Sequence, residues 1–179
     1  MTIEATASLW AAVRAKSPAL LAFGGDSAIE LLSAAVVFWG FQRPEAEEAA
    51  ERRAARIAGV LLFLLTAYVL AVSALTPLGY SEPKPSRMGI AILVLAAIAM
   101  PWLAREKRGL SSVTGSAALR ADAAESMLCA YLSIIALVGL ATNTFFGIGW
   151  ADPVSALAIT PFIIWEAREA LRGKPCACQ

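Results

Sequence analysis

Long apolar runs alternate with short polar loops along this chain. No Asp, Glu, Lys or Arg occurs from Ile57 to Ser81, from Met88 to Ala104, or from Ser126 to Ala151. A membrane-crossing helix needs about 17–25 mostly apolar residues, and each window supplies that. The pattern predicts spans over residues 17–41, 57–76, 88–104, 116–144 and 150–168. Between the first two, Gln42 to Arg56 is rich in Ala, Glu and Arg, which suits a solvated helix extending beyond the membrane. Pro77, Gly79, Pro83 and Pro85 mark a loop before Arg87. Phe145 to Gly149 reads as a tight connection, and the last span emerges at Glu166-Ala-Arg168. Residues 3–16 form a partial span: a dozen apolar residues reach only about 18 Å at 1.5 Å per residue. They read equally as an interfacial helix or as a shortened first span.

The fold class is therefore all-α, a polytopic membrane helix bundle over residues 1–173, with residues 174–179 as a tail carrying Cys176-Ala-Cys178. Lys and Arg set its orientation. Loop 42–56, loop 104–117 and the tail hold ten basic residues, against Arg14, Lys16, Lys84 and Arg87 on the other side. The C-terminus is thus expected in the cytoplasm, and the bundle in the cell (inner) membrane.

Composition agrees. Hydrophobic residues make up 59% of the 179-residue chain and charged residues 16%, against about 45–50% and about 25% in soluble domains. So little soluble mass excludes a large catalytic domain, and no enzyme activity is expected. A formal net charge of +1 offers no basic field for nucleic acid. The chain has no histidine, which removes His-based catalysis and His-ligated metal. Three cysteines, one of them inside an apolar run, do not make a disulfide framework.

The chemistry lies in the charges that interrupt the apolar runs. Asp26, Asp122 and Asp152 are the only aspartates, and all three fall within or beside spans. A charged side chain at the bilayer centre costs about 2.5–3.5 kcal/mol on insertion scales, so each needs a partner, a proton or an ion. Asp26 and Glu30 are four apart, on one helix face. Asp122, Glu125 and Cys129 follow i, i+3, i+7 spacing, again one face. Asp26 with Glu30, and Glu125 with Cys129, stand about 13–20 Å along their spans, and the two helices are antiparallel, so these pairs can meet near the midplane. Arg120 alone cannot balance four carboxylates. Carboxylates with a thiolate suit a divalent cation, and the sulfur favours Zn²⁺ or a softer ion over Mg²⁺ or Ca²⁺. Ligands bind deprotonated, which couples metal to protons. Ordinary readings stand beside these: an Arg120 ion pair for Asp122 and Glu125, hydroxyl partners for Asp26, packing for Cys129. Asp152-Pro153 reads as a helix N-cap with proline in the first turn.

Three motifs resemble the cation diffusion facilitator family of divalent-metal/proton antiporters, particularly its compact bacterial members. They are Phe23-Gly-Gly-Asp-Ser-Ala-Ile-Glu30, Ala118-Leu-Arg-Ala-Asp-Ala-Ala-Glu-Ser-Met-Leu-Cys129 and Trp150-Ala-Asp-Pro153. The resemblance covers residues 4–172. It implies a six-helix core with a shortened first helix and without the family's C-terminal cytoplasmic domain. The family's acidic-or-His-x3-Asp pair on the second helix falls on Asp26 and Glu30. Its His-x3-Asp pair on the fifth falls on Glu125 and Cys129, both changed in type. Asp122 is a fifth candidate, as ligand or proton relay. The resemblance also implies a homodimer, with Zn²⁺ or a similar cation as substrate rather than as a resident cofactor. The implied function is export of that cation in exchange for protons. Two alternatives remain: an organic-cation/proton antiporter, for which only Trp39 and Tyr131 offer aromatic lining, and a non-transporting metal sensor built on the Cys-x-Cys tail.

Overall fold

The computed structural model describes residues 2–40, 47–76, 83–114 and 117–172. These form six helices: α1 (Thr2–Ala15), α2 (Pro18–Gly40), α3 (Glu47–Leu75), α4 (Arg87–Thr114), α5 (Ala117–Phe146) and α6 (Ala151–Leu171). The all-α bundle expected from the hydrophobic pattern is the observed architecture. Helices run past several of the expected spans. The charged segment from Glu47 is continuous with α3, and the basic patch Arg105 to Arg108 continues α4.

Local chemistry sets the helix ends. At the end of α1, Lys16 takes φ 50°, and the Ser17 N–H donates to the Ala12 carbonyl at 3.2 Å. This six-to-one bond closes a Schellman-type stop. The next helix starts at once. Pro18 occupies its first position, where a missing N–H costs nothing, and the Ser17 hydroxyl accepts the Leu20 N–H at 3.1 Å. Ser86 does the same for α4, accepting from the Gly89 N–H at 3.0 Å. Gly147, at φ +67°, ends α5.

α2 is the central helix. It packs against α1, α3, α5 and α6, while α4 lies on α5 and α3 on α6. Leu20, Phe23, Leu140, Ile159 and Ile163 are fully buried in the main core. Some interior polar side chains find partners within the bundle, while the buried hydroxyls of Ser27, Thr66 and Ser73 have none among the described residues. Asn143 Nδ2 donates to the Pro83 carbonyl at 3.1 Å, and the Thr160 hydroxyl to the Ala156 carbonyl at 3.0 Å.

The outside is apolar. Leu95, Ile98, Trp102 and Val138 are each at least 60% exposed, a surface that water would not tolerate on this scale and that lipid covers. Among the described residues, three helices are long and apolar enough to cross a membrane: Ala55–Leu75, Arg87–Leu110 and Ala123–Phe146. Phe145, Phe146 and Trp150 are exposed together at one end of the bundle, as interfacial aromatic residues are. The chain is a multi-pass membrane protein.

Candidate metal centre

The centre is built on α2 immediately after two glycines. A Cβ on Gly24 would lie 2.5 Å from Ser8 Oγ and 3.0 Å from the Leu9 backbone nitrogen. A Cβ on Gly25 would meet Leu65 of α3 at 2.7 Å. The bare backbone thus lets α1 and α3 close on α2 from two sides. Asp26 follows directly, and this close packing leaves it 1% exposed.

One turn further along α2, Glu30 faces Cys129 of α5. The Cys129 thiol donates to Glu30 Oε2 at 3.4 Å and to Oε1 at 3.7 Å. One potential ligand atom from each of Asp26, Glu30 and Cys129 lies within 4.8 Å of the other two. In tetrahedral zinc with bonds of about 2.0–2.3 Å, donor atoms stand roughly 3.5 Å apart, so side-chain rotations alone bring this group to ligand spacing. Among the described residues, Asp26 Oδ1 is buried and has no hydrogen-bond partner, a hydroxyl included.

The sequence pattern left out one member of the cluster. Glu166 of α6 is near enough to act electrostatically on Asp26 and Glu30. Glu166 had been expected where the last span emerges, but α6 continues to Leu171. The available signal was helical spacing: Glu166 falls at i+7 and i+3 from Ile159 and Ile163, both fully buried, and therefore on the inward stripe.

Glu125 is near enough to act electrostatically on Asp26, Glu30 and Glu166, and Glu4 of α1 acts on Glu30 and Cys129. Neither belongs to the close trio. Asp122 lies on α5, but its side chain, like that of Arg120, is outside the described residues, as are Cys176 and Cys178. A cation does approach from α4: Lys107 Nζ donates to the Ser126 hydroxyl at 2.9 Å, one residue beyond Glu125.

Asp152 does something other than the expected capping of its own helix. α6 has Trp150 at its N-cap position and no side-chain cap there. Instead Asp152 Oδ1 accepts the Ser17 hydroxyl at 2.7 Å and Oδ2 accepts the Ala19 N–H at 3.4 Å. Already inside the first turn of α6, its side chain is free to serve the orphan N–H groups at the start of α2. The carboxylate ties the first turns of the two helices together, so α2 and α6 run parallel from a common level.

The geometry is a pair of carboxylates and a thiol, with Asp26 and Cys129 buried and Glu30 half-buried, among helices whose outer faces are apolar. The family model for the cation efflux transmembrane domain matches residues 1–173. The chain belongs to the cation diffusion facilitator family. No curated protein matches it. As a family member the chain is a multi-pass transporter of divalent cations, for which the metal is cargo and not a resident cofactor. The trio supplies donor atoms of the type such cargo takes.

Proposed function

We propose that this facilitator exports a divalent metal, Zn²⁺ foremost, from the cytoplasm across the cell (inner) membrane in exchange for protons. The observation that carries this reading is the trio of buried Asp26, half-buried Glu30 and buried Cys129, with ligand atoms within 4.8 Å of one another. Oxygen donors with one sulfur favour Zn²⁺, Cd²⁺ or a similar ion over Mg²⁺ and Ca²⁺. Glu125 adds charge beside the trio and is a further ligand candidate, and Asp122 serves as ligand or proton relay. The organic-cation reading is disfavoured because Tyr131 is 52% exposed, on the outer surface and away from the trio.

Proton exchange follows from ligand chemistry. A thiol and carboxyl groups bind metal only after losing their protons. Loading therefore releases protons, and unloading on the other side takes them up. Two positive charges on the cargo, or protons on the empty site, keep buried carboxylates from facing the membrane interior uncompensated. The residue 1–173 bundle carries this cycle with spans over 3–16 (partial), 17–41, 57–76, 88–104, 116–144 and 150–168. The Lys and Arg excess places the C-terminus in the cytoplasm. A homodimer is part of the same reading, through the family resemblance.

The test is metal uptake into proteoliposomes with an imposed pH gradient, for the parent and for Asp26→Asn combined with Glu125→Gln. The parent accumulates Zn²⁺ only with the gradient, and the variant does not. A variant that transports like the parent removes these residues from the site. Uptake by the parent that ignores the gradient removes the proton from the cycle.

A further inference from the structure

Where α1 stops and α2 starts, the helices leave a cleft of about 290 Å³ between α1, α2 and α3. Val13, Leu21, Tyr68 and Val72 wall it, and it holds Lys16 and Ser17. Lys16 and Ser17 stand at the end of the bundle. Helical rise puts Val13 and Leu21 about 4–6 Å deeper. The contact of Gly25 with Leu65 registers α3 against α2, which sets Tyr68 about 6 Å above Pro18 as well. The cleft thus carries its charge at the membrane edge and apolar walls toward the bilayer core. The Ser17 hydroxyl is already given to Asp152 at 2.7 Å, so Lys16 is the charged group left to an occupant. Its backbone takes φ 50°, a conformation that helix ends usually leave to Gly or Asn. Other cations share the corner. The Lys84 N–H donates to the Ala15 carbonyl at 2.6 Å, and Arg14 lies 4.9 Å over the Trp10 ring. Among the described residues, none of Arg14, Lys16 and Lys84 makes an ion pair with a carboxylate.

We propose that this cleft binds an anionic phospholipid of the surrounding bilayer, with its phosphate on Lys16 and one acyl chain along Val13, Leu21 and Tyr68. Charge selects the headgroup: a basic pocket between membrane helices takes anionic lipid, and here the basic residues stand in one corner without carboxylate partners. The apolar walls select a lipid over free phosphate, since burying them is favourable only under an apolar chain. The order of the groups matches a lipid in place, charge at the interface and hydrocarbon below it. The site is separate from the metal centre and does not depend on which ion is cargo.

Native mass spectrometry of the purified full-length protein tests this by counting the lipid retained after incubation with phosphatidylglycerol or phosphatidylcholine at equal concentration. The parent should retain about fivefold more phosphatidylglycerol, and excess inorganic phosphate should not displace it. Lys16→Gln should bring phosphatidylglycerol down to the level of phosphatidylcholine, and Lys16→Arg should keep it. Val72→Trp leaves every charge in place but fills the cleft, and should lower phosphatidylglycerol retention at least as far. Equal retention of the two lipids by the parent overturns the proposal, as does a Lys16→Gln variant that retains lipid like the parent. A folded Val72→Trp variant that retains lipid like the parent also overturns it, because the basic corner then gathers headgroups without the cleft. Displacement by inorganic phosphate overturns it too, by making the corner an anion site in which the chain plays no part. Lys16 is exposed, so the Gln and Arg pair decides the matter even where the tryptophan variant does not fold.

Discussion

The Cys129 thiol on α5 donates to Glu30 on α2 at 3.4 Å, so a soft donor and a hard donor stand against each other across the interface between two helices. On the proposed reading, the pair would bind a metal by giving up one shared proton and placing sulfur and oxygen on the same ion. Replacing the sulfur therefore changes which metal is preferred more than whether a metal binds. Cys129→Ser should weaken Cd²⁺ binding about tenfold or more while changing Mn²⁺ binding far less, because thiolate favours soft ions and hydroxyl oxygen does not. Titration of both metals into the purified variant checks this. An equal loss for the two ions would take Cys129 out of the coordination sphere.

Asp26 is held in the interior at a cost to the empty protein. Its carboxylate is buried, one oxygen has no partner, and the carboxylates of Glu30, Glu125 and Glu166 surround it. Asp26→Asn removes a charge without changing the shape. The metal-free variant should be more stable than the parent, by about 1 kcal/mol, a melting shift of about 2–4 °C for a chain of this size. Added Zn²⁺ should raise the melting temperature of the parent and not of the variant, as expected when a ligand binds only the intact site. Thermal unfolding in detergent with and without Zn²⁺ measures both. A less stable metal-free variant would mean that Asp26 supports the fold and not the cargo.

The two glycines before Asp26 differ in what they face, and their substitutions should differ accordingly. A methyl group on Gly24 meets the Leu9 backbone nitrogen at 3.0 Å and Ser8 Oγ at 2.5 Å, both held by the α1 helix. On Gly25 it meets the tip of Leu65 at 2.7 Å, a side chain that can change rotamer. Gly24→Ala should cost about 1–3 kcal/mol through displacement of α1, and Gly25→Ala less than half of that. Comparing the two melting temperatures decides the matter, and equal losses would show that α1 yields as readily as a side chain.

What could be read from the sequence follows the reach of each signal. Helical periodicity fixes which residues share a face, so Asp26 with Glu30 and Glu125 with Cys129 could be paired before any fold was known. Charge-free windows of membrane length located the helices for the same reason, since lipid imposes both length and apolarity. Helix extensions such as the start of α3 at Glu47 were harder, because a charged amphipathic segment reads as a solvated helix whether or not it is continuous with a span. Glu166 depends on something periodicity does not carry. Its depth in the bundle is set at the far end of α6, where Asp152 is bonded to Ser17 and Ala19. Without that tie, an acid two residues before Arg168, near the charged end of the helix, reads as a surface residue. The role of Asp152 itself was hidden because an Asp-Pro pair at a helix start is equally consistent with capping its own helix or a neighbour's.

The tie at Asp152 is the last point on which the site depends, and it separates stability from cargo binding. Asp152 and Ser17 are 0% and 2% exposed. Asp152→Ala leaves the Ser17 hydroxyl and the Ala19 N–H buried without an acceptor, at about 1–3 kcal/mol for each donor. Asp152→Asn keeps the amide oxygen as an acceptor for one of them and should lose about half as much. Ser17→Ala removes one donor but also the cap on the Leu20 N–H, so its effect should overlap with that of Asp152→Ala and fall short of additivity in a double-mutant cycle. Because α2 and α6 are registered at this point, Asp152→Ala should also weaken Zn²⁺ binding, through the position of α2 and its Asp26, while the Asn variant binds close to the parent. Unfolding measurements and Zn²⁺ titrations on the four proteins of the cycle and on the Asn variant give both results. An Ala variant that is destabilised yet binds Zn²⁺ like the parent would show that the tie holds the fold without setting the register of the metal centre.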